Sequence, residues 1–167
     1  MRKEKDMPTI SARLAELGHR LPAPLKVPAG LTLPFPFVNV RGDRAFVSGH
    51  APQEADGNVA GPFGQVGAAV TIEEGYLLAQ KTGLAILGSL ERELGDLDRI
   101  AGWGRVFGMV NAPAGFTQTP AVINGFSKLI LDVFGPEIGR HARSAIGVSA
   151  LPFDIAVEIE AEVLIRP

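Results

Sequence analysis

Two stretches near the end of the chain carry residues that could do chemistry together. Arg143-Ser-Ala-Ile-Gly-Val-Ser-Ala-Leu-Pro152 is followed by Ala156-Val-Glu-Ile-Glu-Ala-Glu-Val-Leu-Ile165. Arg143 is always charged and can clamp a small carboxylate through two parallel hydrogen bonds. Glu158 can orient or deprotonate an attacking water, or carry a proton to a leaving nitrogen. Each has a plainer reading. Arg143 could pair with a sheet glutamate, and Glu158 could be one of three glutamates on a solvated strand face.

The elements that must position these groups are legible. Both stretches read as β-strands joined by a turn around Pro152, Phe153 and Asp154. In the second, Val157, Ile159, Ala161, Val163 and Ile165 point one way, and Glu158, Glu160, Glu162 and Leu164 the other. Residues 1–8 read as a solvated tail. Thr9 to Leu17 forms a short helix, with Gly18 as its stop. Leu21 to Pro36 carries five prolines (Pro22, Pro24, Pro28, Pro34, Pro36) and can be neither a helix nor a central strand. It reads as an extended arm lying along the domain. Phe37–Arg41 and Arg44–Ser48, around Gly42-Asp43, form a hairpin.

Ala51 to Gly67 is a loop. Thr71-Ile-Glu-Glu74 is a capping box opening a helix that runs to about Leu94, where Gly95 stops it. Gly83 and Gly88 within it suggest close packing on a sheet. Ile100 to Val110 is a strand. Trp103 and Phe107 compete with Val106 and Val110 for its core side, and its glycines suggest bulges. Thr119-Pro120 caps and starts a second long helix, which Gly135-Pro136 ends. The order strand, strand, helix, strand, helix, strand, strand gives an α+β fold: a mixed sheet with two helices on one face. The uncovered face calls for oligomerisation. Residues 1–29 are a tail, short helix and proline-rich arm; residues 30–167 are one domain.

Composition narrows the functional classes. The 167 residues, 46% of them hydrophobic, suffice for one domain with its own core. A net charge of −2 gives no basic stripe, so nucleic acid is not expected as a partner. There is no cysteine, which excludes disulfides, zinc thiolates and thiol nucleophiles. The histidines lack metal-ligand spacing with a carboxylate, so no metal is expected. His19 and His141 read as structural or surface residues. Ser48 and His50 share a strand face, but no third triad member is marked. The charged start of the chain has no apolar core of a signal peptide, and no run reaches the roughly 18 residues of a membrane span. A cytoplasmic location without membrane association is the expectation.

These motifs carry a resemblance. The Arg143–Pro152 segment with Val157–Ala161 resembles the C-terminal signature of the RidA/YjgF family. Phe46-Val-Ser-Gly-His-Ala-Pro52 with Asp56-Gly57, and Val122-Ile-Asn-Gly-Phe126, resemble its upstream segments in family order. Gly139-Arg-His-Ala-Arg-Ser144 resembles a longer RidA-like branch. The resemblance spans roughly residues 30 to 166. It implies a chorismate-mutase-like homotrimer with sites in the clefts between subunits. It also implies a cofactor-free deaminase that hydrolyses small 2-imino or enamino acids to 2-keto acids and ammonia. Arg143 and Glu158 would be catalytic. Phe35, Ser48, Gly49, Asn124 and Ala145 would bind the substrate, a small carboxylate-bearing metabolite. Phe35 stands where many relatives carry tyrosine, His50 where glutamine is usual, and Ala145 where cysteine is frequent. An alternative is a non-catalytic carboxylate-binding protein on the same scaffold. An endoribonuclease or translation inhibitor is a further alternative, against which the charge argues.

Overall fold

The computed structural model describes residues 8–167, so the tail expected at the start lies, but for Pro8, outside the described residues. In chain order the elements are α1 (Ile10–Glu16), β1 (Val38–Arg41), β2 (Arg44–His50), α2 (Ile72–Leu94), β3 (Ile100–Asn111), α3 (Thr119–Gly139), β4 (Ala142–Val148) and β5 (Val157–Ile165). The strands form one sheet in the order β1-β2-β5-β3-β4. Only β3 and β4 run parallel. The long helices lie on one face, α2 over β5 and α3 over β3, as the α+β reading expects.

The alternation of β5 explains this layering. Val157, Ile159, Ala161, Val163 and Ile165 are all buried beneath the helices. Burying each valine or isoleucine of the row contributes roughly 1.5–3 kcal/mol, so a one-residue slip would forfeit the whole row. Glu158, Glu160 and Glu162 therefore emerge on the open face.

On β3 the competition is resolved by a bulge. The register shifts between Trp103 and Arg105, which lets Trp103, Val106 and Val110 all reach the core. Phe107, opposite Glu160, is left on the open face.

The capping box of α2 forms as expected: Glu74 N–H donates to Thr71 Oγ1 at 3.1 Å, and Thr71 N–H to Glu74 Oε2 at 2.8 Å. Its glycines, however, do not face the sheet. A Cβ on Gly83 would lie 2.7 Å from Leu129 of α3, and one on Gly88 3.4 Å from the Pro22 carbonyl. They let α3 and the arm approach α2. The arm does lie along the domain, with Ala23 N–H donating to Ala55 O and Lys26 N–H to Gly57 O, both at 3.0 Å. Leu14 of α1 joins the core.

Three local expectations need correction. Thr119 does not cap α3. The preceding Gln118 occupies that position without a side-chain bond, and Thr119 Oγ1 donates instead to the Ala145 carbonyl at 3.0 Å, tying α3 to β4. Gly135-Pro136 breaks α3 rather than ending it: Gly135 has φ 73°, and a short helical turn resumes through Gly139. The last two strands are not neighbours, because β3 runs between them.

Their connection crosses the end of β3, where Asn111 Nδ2 donates to Asp154 Oδ1 at 3.1 Å and Ile155 O at 3.3 Å. Phe153 and Asp154, both at φ 57°, make the reversal in left-handed backbone.

Candidate functional site

Arg143 leaves β4 opposite Val106, on the helix-covered face. Its Nη1 donates to Asn124 Oδ1 at 2.9 Å and to Ser127 Oγ at 3.0 Å, both on α3. Asn124 and Ser127 are three residues apart on a helix, so they present adjacent acceptors. Among the described residues no carboxylate pairs with Arg143, and the rest of its guanidinium has no partner. The result is a fixed, partly desolvated cation. Burial lowers its pKa from the usual range, although an arginine stays charged throughout the working pH range.

Ser127 links Arg143 to His141. Ser127 Oγ and His141 Nε2 are 2.9 Å apart, and His141 Nδ1 lies 2.7 Å from the Gly139 carbonyl. A carbonyl only accepts, so Nδ1 carries the proton and Nε2 accepts from the Ser127 hydroxyl. Burial, and then the Arg143 charge, lower the His141 pKa and favour this neutral form. Sequence reasoning missed both residues. The available signals were the two-residue strand interval from His141 to Arg143 and the three-residue helical interval from Asn124 to Ser127.

Glu158 lies on the opposite face of the sheet. It stands across from Met109 on β3, three positions from Val106, and its side chain packs over Gly49. A Cβ on Gly49 would collide with a Glu158 carboxylate oxygen and sit 2.9 Å from its Cδ. Gly49 therefore makes room for the glutamate rather than for a ligand directly. Burial pushes the Glu158 pKa up, and the neighbouring Glu160 charge adds to the shift. This is the direction that suits a proton-transfer group near neutrality.

Phe35 and Ser48 meet in a cavity of about 320 Å³ on the same open face, with Phe46, Arg105, Phe107 and Glu160 also in its wall. Ser48 Oγ donates to the Pro36 carbonyl at 2.8 Å. Ser48 and His50 do not share a face. A bulge between Val47 and His50 turns the imidazole into the helix side, where Nδ1 meets Ser48 O at 2.6 Å and Nε2 meets Ser89 Oγ at 2.9 Å. Burial pushes its pKa down to about 4, so His50 is a neutral packing residue. The Ala145 carbonyl already accepts from Thr119.

The structure thus gathers Asn124, Ser127, His141 and Arg143 at the β4 edge, and Phe35, Ser48, Gly49 and Glu158 on the open face. No helix among the described residues is long and apolar enough to cross a membrane.

Comparison with known proteins places the chain in a family. The profile of a family described as "YjgF/chorismate mutase-like, putative endoribonuclease" matches residues 11–160. Protein TCP17 of Trypanosoma cruzi is 40% identical over 152 residues, covering 91% of each chain. The crystal structure of Atu1372 from Agrobacterium tumefaciens, a protein of unknown function, superposes with a TM-score of 0.83 at 36% identity, covering 95% of this chain and 94% of the other. The YjgF gene product of E. coli shares the fold, with a TM-score of 0.59 at 18% identity, covering 86% of this chain and 94% of the other.

Proposed function

The chain belongs to the YjgF/chorismate mutase-like family, and from that premise we propose that it hydrolyses small 2-imino or enamino acids to 2-keto acids and ammonia. One observation carries the proposal. Arg143 is an un-neutralised guanidinium held in place by Asn124 and Ser127, as a carboxylate clamp requires. An imine carbon is already electrophilic, so positioning and one proton-transfer group suffice.

In this reading Arg143 binds the carboxylate of the imino acid. Glu158 takes a proton from water as its oxygen bonds to the carbon of the protonated imine, and the C=N electron pair moves onto nitrogen to give an amine. Glu158 returns its proton to the nitrogen of the resulting carbinolamine, the C–N bond breaks as the hydroxyl loses its proton and becomes the carbonyl, and ammonia leaves behind a keto acid. An enamine enters the same path after tautomerising to the imine. Arg143 and Glu158 lie on opposite faces of one sheet, so the pair that acts on a single substrate comes from two subunits. A homotrimer, in which the open face and the β4 edge are brought against neighbours, supplies that arrangement.

A second reading is supported by Phe35, which walls the open-face cavity but has no hydroxyl to donate. On this reading the protein binds a small carboxylate without turning it over. The test is keto-acid formation from freshly generated 2-iminobutanoate and 2-aminoacrylate. Acceleration by the wild type, lost in Arg143→Ala, supports the deaminase. Saturable carboxylate binding without acceleration supports the binding protein. RNA cleavage with a steep salt dependence would overturn both.

A further inference from the structure

Beside Arg143 the chain carries a second cation, Arg140, which the proposed reaction does not use. The two arginines, His141, Ser127 and Leu131 line one cavity of about 230 Å³ between α3 and the start of β4. Water occupies about 30 Å³ per molecule in the liquid, so this space holds a compound of a few carbons. Among the described residues no acidic side chain lines the cavity. Neither arginine pairs with a carboxylate among the described residues, although the chain carries 18 acidic side chains against 16 basic ones. With acids in excess, two guanidiniums left together without a counter-ion leave a position for one.

The surroundings assign the two arginines different duties. Arg143 is locked by Asn124 and Ser127, which fixes its direction. Arg140 makes no hydrogen bond or ion pair among the described residues and stays exposed at the end of α3, so it can follow a ligand of variable length. Neither acid of α3 lines this cavity: Asp132 is held by Lys128 at 2.7 Å and lines the adjoining one, and Glu137, three residues before Arg140, makes no ion pair among the described residues. His141 is spent on Ser127 and Gly139. Leu131 supplies an apolar wall for a short carbon chain.

We propose that this site is built for a dianion: a short ligand with two acidic groups, one on Arg143 and the other on Arg140. The inference rests on Arg143 being the carboxylate clamp of the proposed reaction, and it specifies the substrate as a 2-imino dicarboxylate rather than a monocarboxylate. A second acid group gains from Arg140 and meets no carboxylate of the same chain among the described residues of the wall.

The test measures affinity for keto acids, the product class, so that it does not depend on turnover. Calorimetric titration compares 2-oxoglutarate with 2-oxobutanoate on the wild type, Arg140→Gln, Arg140→Lys, and Arg20→Gln as a remote charge-loss control. The expected result is binding of 2-oxoglutarate at least tenfold tighter by the wild type and by Arg20→Gln. Arg140→Gln collapses that ratio towards one, and Arg140→Lys restores part of it. Circular dichroism melting of Arg140→Gln confirms that the fold is retained. Equal affinity of the wild type for the two acids, or an unchanged ratio in Arg140→Gln, would overturn the proposal. A dianion preference in a protein that accelerates no imine hydrolysis upholds the dianion site and sinks the deaminase, and with it the imino dicarboxylate as substrate. Turnover of a monocarboxylate imine without any dianion preference does the reverse.

Discussion

Arg143 and Glu158 point to opposite faces of the same sheet: Arg143 stands opposite Val106, and Glu158 opposite Met109 three residues further along β3. Side chains on a strand alternate, so an odd interval on the shared neighbour puts the two on different sides. They cannot hold one ligand within a single chain. If they act on a common substrate, Arg143→Ala and Glu158→Ala should each be inactive alone yet recover activity when co-refolded. Random pairing restores about one quarter of the sites in a ring of mixed subunits. Absence of recovery in verified mixed oligomers would rule out the shared site.

Gly49→Ala tests the glutamate from below. The added methyl collides with the Glu158 carboxylate, which is flexible enough to swing away. The expected outcome is a fall in kcat of at least tenfold with KM little changed, since general acid–base contributions are about 10²–10⁴-fold. Thermal unfolding should move by no more than a few degrees. A variant with wild-type kcat would show that the position of Glu158 does not matter.

The pH profile follows from the raised Glu158 pKa. Burial is its main cause and Glu160 the second. As a general base Glu158 must be ionised, so activity is lost as pH falls through its pKa, above the ordinary glutamate value. Glu160→Gln removes the like charge and should shift the acid limb of kcat/KM to lower pH. For stability the sign is opposite. A carboxyl with a raised folded pKa favours the protonated fold, so its contribution weakens as pH rises from the unfolded value through the folded one. Glu158→Gln should therefore raise urea resistance at pH 7 and not at pH 4.

His50 makes stability depend on pH in the other direction. Burial holds its pKa at about 4 against an ordinary 6.5. The fold favours neutral imidazole, so this contribution is complete above pH 6.5 and is lost as pH falls towards 4. The difference amounts to roughly 3 kcal/mol. Urea unfolding at pH 7 and pH 4.5 should show the loss, and His50→Gln should flatten it. An equal pH dependence in the variant would assign the effect elsewhere.

Helix packing offers a test independent of function. A Cβ on Gly125 would strike the Tyr76 carbonyl group, 2.8 Å from its carbon, whereas one on Gly83 meets the movable end of Leu129. Backbone cannot rotate aside. Gly83→Ala should cost about 1–3 kcal/mol, and Gly125→Ala more, by denaturant unfolding.

The sequence alone determined the elements and, where a strand runs without a bulge, their faces, because strand alternation is local. The row Val157 to Ile165, the capping box at Thr71 and Glu74, and the glycine-marked bulge in β3 are all written in the order of the residues themselves. The motifs around Arg143 also pointed to the family. Only the tertiary structure decided what meets what. That β3 separates the last two strands follows from long-range pairing, which a turn at Pro152 does not encode. His50 moved behind the sheet because of a one-residue bulge in β2, and such a bulge inverts every later face. Ser127 and His141 joined Arg143 because α3 crosses β4 at that level, and Thr119 left its expected cap to bind Ala145 for the same reason. Hydrogen bonds between distant residues depend on how elements dock, and docking is set by the whole core rather than by any one stretch.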